Sequence, residues 1–397
     1  MILEQDKLDV ITKKRSNLFN WRGQFTPEFV EYILTSFACE GDTIFDPFSG
    51  SGTVLQESAR LGFGATGFEI NPSAYAMSKF FSFCNFSNGD RNDFCNSFET
   101  KLNLYLQNLN GQKVYVDKVD YREAYFNLLN FAIGFDKLIE TKQERIFFMN
   151  ILFQSEKDKN LTVKESVNKS FQYTKKSLLE LPFSNSPVNA KLLDARVSGN
   201  VLANSIDFIL TSPPYINVFN YHQNYRAIIE TFHFDILKVA HSEFGSNRKN
   251  RGNRFKTVIQ YCIDMELAIR SFWNALKLNS KMVLVVGRES NVRGTPFYNG
   301  QLVIEIIERT NGFSGIKTLE RQFTNKFGIN IKEDIIIATK TNDLSDSLYG
   351  RAIAVSHLER SLKTSLNGVH ADLSEAILNC EAVKESPIFD PKYILKK

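Results

Sequence analysis

The chain has 397 residues, 43% apolar and 23% charged, proportions of a globular protein with room for two ordinary domains or one large α/β domain carrying an insertion. Its 48 basic and 44 acidic residues leave a net charge of +4, which permits nucleic-acid binding without demanding it. No apolar run approaches the ~20 residues needed to span a bilayer, and the N-terminus has no apolar signal core. Five scattered cysteines (Cys39, Cys84, Cys95, Cys262 and Cys380) form no C-x-x-C pair, which argues against a disulfide framework or zinc knuckle and predicts a cytoplasmic protein.

In chain order, Thr26-Pro27-Glu28 predicts a helix start, with a capping hydroxyl, a proline at the first helical position and an acid in the first turn. Phe29, Ile33 and Phe37 then recur every four residues, one face of that helix. DTIFD (42–46) and ATGFE (65–69) read as buried strands, and a further helix begins at Pro72. From 83 to 187 no strand–helix–strand unit is visible; the composition is helical, with a Lys-rich stretch at 157–176, and reads as an insertion. Strands return at AKLLD (190–194), IDFILT (206–211) and KMVLVVG (281–287), with a helix over about 259–277 between the last two. After Lys340 the pattern is helical and amphipathic, either a buttress or a small appended subdomain. Strands alternating with helices predict a doubly wound α/β sheet. The organisation expected is a cofactor half over 1–82, a helical insertion over 83–187, a catalytic half over 188–340 and a helical extension over 341–397. The many aromatic residues, 34 Phe and 14 Tyr, are expected mostly in the core.

Asp46-Pro47-Phe48-Ser49-Gly50-Ser51-Gly52-Thr53 joins a strand to a helix. Glycines there let a ligand approach the backbone, and the helix start offers unpaired N–H groups. Glu69 ends the next strand 23 residues after Asp46, where a carboxylate accepts hydrogen bonds from a ribose diol. There is no Gly-Lys-Thr/Ser, and an acid opens the turn, which suits an ammonium better than a phosphate. A ligand with an ammonium, a ribose and an adenine is S-adenosylmethionine.

Thr211-Ser212-Pro213-Pro214-Tyr215 follows the strand IDFIL. Two prolines remove two donors and stiffen the turn, so the Ser212 and Pro213 carbonyls are rigid acceptors. With the Ser212 hydroxyl and the Tyr215 ring they can hold a planar amine and its heterocycle. Together with FEINP, DAR and the glycine turn, this tetrapeptide resembles the DNA amino-methyltransferases of restriction–modification systems. The resemblance covers about 20–81 and 190–340, and Ser-Pro-Pro-Tyr is most similar to N4-cytosine enzymes, N6-adenine enzymes more usually carrying Asp or Asn at the position of Ser212.

The resemblance implies a Rossmann-like, S-adenosylmethionine-dependent sheet and a set of roles. Phe25 and Thr26 belong to the stretch Arg22-Gly23-Gln24-Phe25-Thr26-Pro27-Glu28, which resembles the element that helps hold the methionine end; Asp46, Gly50 and Gly52 line the methionine site and Glu69 the ribose. Asp194 meets the adenine amine, and Phe48, Ser51, Thr53, Ile70 and Ala195 complete the cofactor set. Ser212, Pro213, Pro214 and Tyr215 form the catalytic clamp. Asp46 and Ser212 lie 166 residues apart, more than a compact core needs, so target recognition falls either in the insertion or after the core. An N6-adenine enzyme and an RNA guanine-N2 methyltransferase are the alternative activities, and a DNA-binding module with a degenerate cofactor site is the non-catalytic one.

Double-stranded DNA, with a cognate endonuclease, is the expected partner. An amine in a duplex is paired and stacked, so its base must be flipped out. Asn217, Phe219, Asn220 and Tyr221 follow the clamp and are candidates to shape that pocket or fill the vacated stack, with Phe219 equally readable as the first core residue of the next helix. His222 and His233 read as surface or core residues. Between residues 247 and 256, Arg248, Lys249, Arg251, Arg254 and Lys256 appear without an acid, a candidate contact to phosphates and base edges. Replacing Arg248, Lys249 and Arg251 together by alanine is expected to weaken DNA binding and flatten its salt dependence, by about one unit of log–log slope for each phosphate no longer neutralised. Binding isotherms across a salt series check this, and cofactor affinity should stay unchanged.

Overall fold

In a computed structural model, described over residues 3–109, 111–118, 120–216, 221–245, 250, 252–324, 328–364 and 367–391, the apolar runs pair into one sheet. Its strands are β1 (Thr43–Asp46), β2 (Gly64–Glu69), β3 (Val188–Leu192), β4 (Ile206–Thr211), β5 (Leu276–Gly287), β8 (Phe313–Thr324) and β9 (Asn330–Lys340), with β6 (Glu289–Val292) and β7 (Thr295–Tyr298) forming a separate hairpin. The order across the sheet is β3-β2-β1-β4-β5-β9-β8. The first five strands are parallel and β9 runs antiparallel to both its neighbours. The chain order reverses between β1 and β4, the switch point at which open α/β sheets hold ligands beyond their carboxyl ends. This is the expected Rossmann-like arrangement.

The outlying differences have local causes. β3 covers Val188–Leu192 rather than 190–194, because Asp194 leaves the sheet to cap the short turn Ala195–Val197, accepting from Arg196 N. β8 and β9 escaped the sequence reading. β8 is an edge strand with few buried side chains, and only Ile335, Ile336, Ile337 and Ala338 in β9 form an apolar run. The helix at Pro27–Phe37 forms as expected, but Thr26 makes no side-chain cap; its hydroxyl is buried without a partner among the described residues. The helix starting at Pro72 is capped by Asn71, which accepts from Ser73 N and Ala74 N.

Both sheet faces are buried, and the strand period of two divides their side chains. On β5, Val283 and Val285 enter one core while Met282, Leu284 and Val286 enter the other. The first core also takes the helices between β2 and β3, among them Asn88–Leu106, Phe126–Asp136, Lys142–Ser155 and Val163–Leu179. These helices have no separate core. Phe147 packs against Phe80 beside the sheet and against Phe98 (5.0 Å), while Phe148 reaches Phe232. Lysines of the 157–176 stretch are paired locally, Lys169 with Asp158 and Lys175 with Glu99. Among the described residues no helix is long and apolar enough to cross a membrane.

The C-terminal segment buttresses the second core. Helix Gly350–Thr364 packs on helix Lys256–Ala275, with Tyr349 N and Gly350 N donating to the buried Glu266. Beyond it the chain returns as a strap. Ser386 donates to Asp264 through N (2.9 Å) and Oγ (2.6 Å), Phe389 N donates to Asp194, and Arg196 donates to the Ser386 and Pro387 carbonyls. Asp194, Arg196 and Asp264 are buried ions, so losing these partners leaves charge desolvated and unpaired. Deleting residues 384–397 is expected to cost about 2–4 kcal/mol, read as a lower urea midpoint in unfolding followed by circular dichroism.

Candidate active site

A cleft at the carboxyl ends of β1 and β4 brings the two sequence motifs together. Asp46, Phe48, Gly50, Ser51 and Thr53 line it from the glycine turn, and Glu69 and Ile70 from the end of β2. Ser212, Pro213, Pro214 and Tyr215 line it from the end of β4, with Phe25, Asp194, Ala195 and Tyr221 completing the residues singled out in the sequence. Two of those residues lie elsewhere. Thr26 does not reach the cleft, and Gly52 serves packing: its φ is +90°, and a Cβ there would stand 2.7 Å from the Phe81 ring and 2.8 Å from the Ser78 backbone. Glycine at 52 therefore lets helix Pro72–Phe80 approach the turn. Asn217, Arg248, Lys249 and Arg251 lie outside the described residues. Arg254 precedes helix Lys256–Ala275 and does not line the cleft, and Lys256, fifth base of the run, is paired with Glu375.

β1 and β4 are neighbours, with Ile44 opposite Phe208, so their ends meet. Thr211 Oγ1 donates to Asp46 Oδ1 at 2.5 Å, and Phe48 N donates to the same oxygen at 3.2 Å. Asp46 Oδ2 carries no hydrogen bond among the described residues. Glu69 accepts from Gly50 N (2.9 Å) through one oxygen and from Asn71 N (2.8 Å) through the other. The Gly50 N–H thus orients Glu69. Burial pushes both carboxyl groups up to about 7, against the opposing pull of those hydrogen bonds, and Asp46 adds a smaller repulsion at Glu69. Two desolvated carboxylates with unused lone pairs suit an ammonium and a diol. The donor set fits S-adenosylmethionine.

Asp194 stands differently. Its oxygens take Arg196 N, Nε and Nη2 and Phe389 N, four donors for four lone-pair sites. Its carboxylate is therefore a structural partner of Arg196 and the C-terminal strap, with no acceptor left for an adenine amine.

Several cleft residues, Gln24 of the Arg22–Glu28 stretch apart, carried no recognised signal. Trp21 and Gln24 form a wall on the N-terminal side; Trp21 stacks on Tyr221 with centroids 6.0 Å apart, and Ser51 donates to Gln24. Glu243 and Phe244 face them, and Glu243 accepts from His222 N (3.0 Å) and pairs with its Nδ1 (2.9 Å). His222, expected either at the surface or in the core, is buried, with this specific partner. Gly287, ending β5, lies under the clamp: a Cβ there would be 2.7 Å from Cε2 of Tyr215. A strand-end glycine was the available clue, but its purpose depends on a ring distant in sequence.

Because the ionised carboxylates complement an ammonium, cofactor affinity is expected to fall as pH drops through about 7 and level off above it. In the free protein the sign is opposite for stability: a raised carboxyl pKa costs stability as pH rises from the ordinary carboxylate range through about 7. Calorimetric titration of S-adenosylmethionine between pH 6 and 8.5 checks the first, with Asp46→Asn expected to bind about 10- to 100-fold more weakly. Gly287→Ala, whose added methyl would meet the Tyr215 ring first, is expected to lower kcat while sparing cofactor binding.

Comparison with known proteins finds similarity to DNA methylases, in the family model over the N-terminal part of the chain. Residues 6–80 match the N6/N4 family model described as DNA methylase. The Type II methyltransferase M.BsoBI of Geobacillus stearothermophilus is 22% identical, over 68% of each chain. The Type II methyltransferase M.MjaII of Methanocaldococcus jannaschii is 29% identical over 34% of this chain, which spans only 22% of that relative's length. Among solved structures, a SAM-dependent methyltransferase from Methanosarcina mazei overlays with a TM-score of 0.34 and 12% identity, covering 78% of this chain and 98% of its own. With the family model matched through the glycine turn and Glu69, and the Ser-Pro-Pro-Tyr turn lining the same cleft, these similarities support the DNA amino-methyltransferase family for this chain.

Proposed function

We propose that the chain is a site-specific methyltransferase that transfers a methyl group from S-adenosylmethionine to the exocyclic N4 of a cytosine flipped out of duplex DNA. In this reading it protects host DNA in the cytoplasm, alongside an endonuclease of the same specificity. The observation that carries it is the placement of Ser212 immediately after Thr211, whose hydroxyl is bonded to Asp46 in the cofactor end of the cleft. Serine rather than Asp or Asn at that position favours cytosine over adenine, by the resemblance drawn above.

Bound at Asp46 and Glu69, the cofactor supplies a methyl group already activated on a sulfonium, so neither a metal nor a covalent intermediate is required. The work left to the protein is at the amine. Its lone pair is delocalised into the ring and is a poor nucleophile. Ser212 Oγ and the Pro213 carbonyl accept its two N–H bonds from tetrahedral directions, which localises the lone pair on nitrogen and directs it toward the methyl group. Pro213 and Pro214 keep these acceptors rigid, so little reorganisation is needed as charge develops. Tyr215, packed over Gly287, offers its ring to the base. Positioning in line contributes further, and the proton the amine loses on methylation passes to water. The cost of unstacking the target, a few kcal/mol, is met by this pocket and by contacts along the duplex.

Mass spectrometry of nucleosides from DNA methylated by the chain should find N4-methylcytosine. N6-methyladenine alone would move the assignment to the adenine branch of the family, and methylated guanine in RNA would displace DNA altogether. Ser212→Ala is expected to reduce kcat about 10- to 1,000-fold with S-adenosylmethionine affinity kept, measured by transfer of labelled methyl.

A further inference from the structure

Serine hydroxyls rotate, and a hydroxyl in the clamp helps only if it shows the amine a lone pair rather than a proton. A chain of three side chains settles which it shows. Ser212 Oγ is 3.4 Å from the Tyr215 hydroxyl, which is 3.1 Å from Glu333 Oε1. Glu333 stands on β9 directly opposite Gly287, the residue over which the Tyr215 ring lies, so the ring's placement and the hydroxyl's reach share one geometry. Across the next pairing, Arg321 on β8 sets its Nε 3.3 Å from Glu333 Oε2. Arg321 is only 3% exposed, lies 4.0 Å above the Phe29 ring and needs an anion beside it.

An ionised carboxylate only accepts hydrogen bonds. Tyr215 therefore donates its single proton to Glu333 and keeps its lone pairs for Ser212. Ser212 in turn donates to Tyr215 and directs its own lone pairs elsewhere, toward the cleft it lines. We infer that Glu333 is a positioning residue: acting through Tyr215, it fixes the polarity of the Ser212 hydroxyl so that serine accepts from the target amine. This rests on the reading of Ser212 as the amine's acceptor. With the polarity reversed, the serine proton would hydrogen-bond the nitrogen lone pair that has to attack the methyl group. The Ser212–Tyr215 separation is long for a hydroxyl pair, and such contacts commonly tighten once substrate fills a site.

The test is a double-mutant cycle of Glu333→Gln and Tyr215→Phe in the full chain, assayed by labelled methyl transfer to DNA with S-adenosylmethionine affinity measured by calorimetry. Glutamine keeps the shape but can donate, which frees or reverses the hydroxyl chain. Glu333→Gln should lower kcat about 10- to 100-fold with KM for DNA and cofactor affinity within about twofold of wild type. On the Tyr215→Phe background the same substitution should add nothing, because its only route to serine is gone. Losses that multiply, or an E333Q variant within twofold of wild type, would overturn the inference. Should Arg321, left without its anion, prevent folding of E333Q, the pair Glu333→Gln with Arg321→Met removes the stranded charge and carries the same expectations. An active wild type with an indifferent E333Q sinks only this inference, whereas a wild type that methylates no amine sinks the parent reading and this one with it.

Discussion

The hydrogen bond from Thr211 Oγ1 to Asp46 Oδ1, 2.5 Å long, ties together the ends of two adjacent parallel strands, and the cleft is organised around it. Asp46 opens the glycine turn and Thr211 immediately precedes the Ser-Pro-Pro-Tyr turn, so one contact fixes the two turns against each other. The contact is possible because β1 and β4 flank the switch point, where helices leave in opposite directions and the strand ends are left uncovered. It also explains the electrostatics. Asp46 is oriented and desolvated at once, held ready for a cation by burial that otherwise favours its neutral form.

Around that contact the molecule uses its polar groups for orientation. The Gly50 N–H points Glu69, His222 anchors Glu243, and Arg196 saturates Asp194. Each is a charged group near the cleft whose hydrogen bonds are mostly internal, which reduces reorganisation when ligand enters. The C-terminal strap follows the same rule. By donating to Asp194 and Asp264 it completes a buried ionic cluster at the wall of the cleft, so Ser386 and Phe389 support the cofactor end of the site.

The helical insertion illustrates how a long excursion is accommodated without a second core. Its phenylalanines interleave with Phe80 and Phe83 behind the sheet, so the extra helices extend an existing apolar face. This also accounts for the abundance of Phe: rings stacked edge-to-face fill a wide interface between helices with few polar demands.

Linear order was enough for the parts whose physics is local. Buried strands show as short apolar runs, helix starts show as Pro27 and Pro72, and a turn of glycines and an acid, or of two prolines and a tyrosine, restricts backbone and donors within a few residues. It misassigned residues whose role depends on what arrives from elsewhere. Gly52 looks like a ligand glycine but faces Phe81, Asp194 looks like a free carboxylate but meets Phe389 N, and Lys256 looks like a DNA contact but meets Glu375. Gly287 and Glu333 show nothing in sequence because their meaning lies in Tyr215, brought to them by the pairing of β5 with β9. Backbone stiffness and periodicity are properties of neighbours along the chain, so sequence determined the sheet's first five strands and both motifs. Desolvation and hydrogen-bond saturation are properties of neighbours in space, so only the tertiary structure decided which of those residues line the cleft and which of their polar groups are already taken.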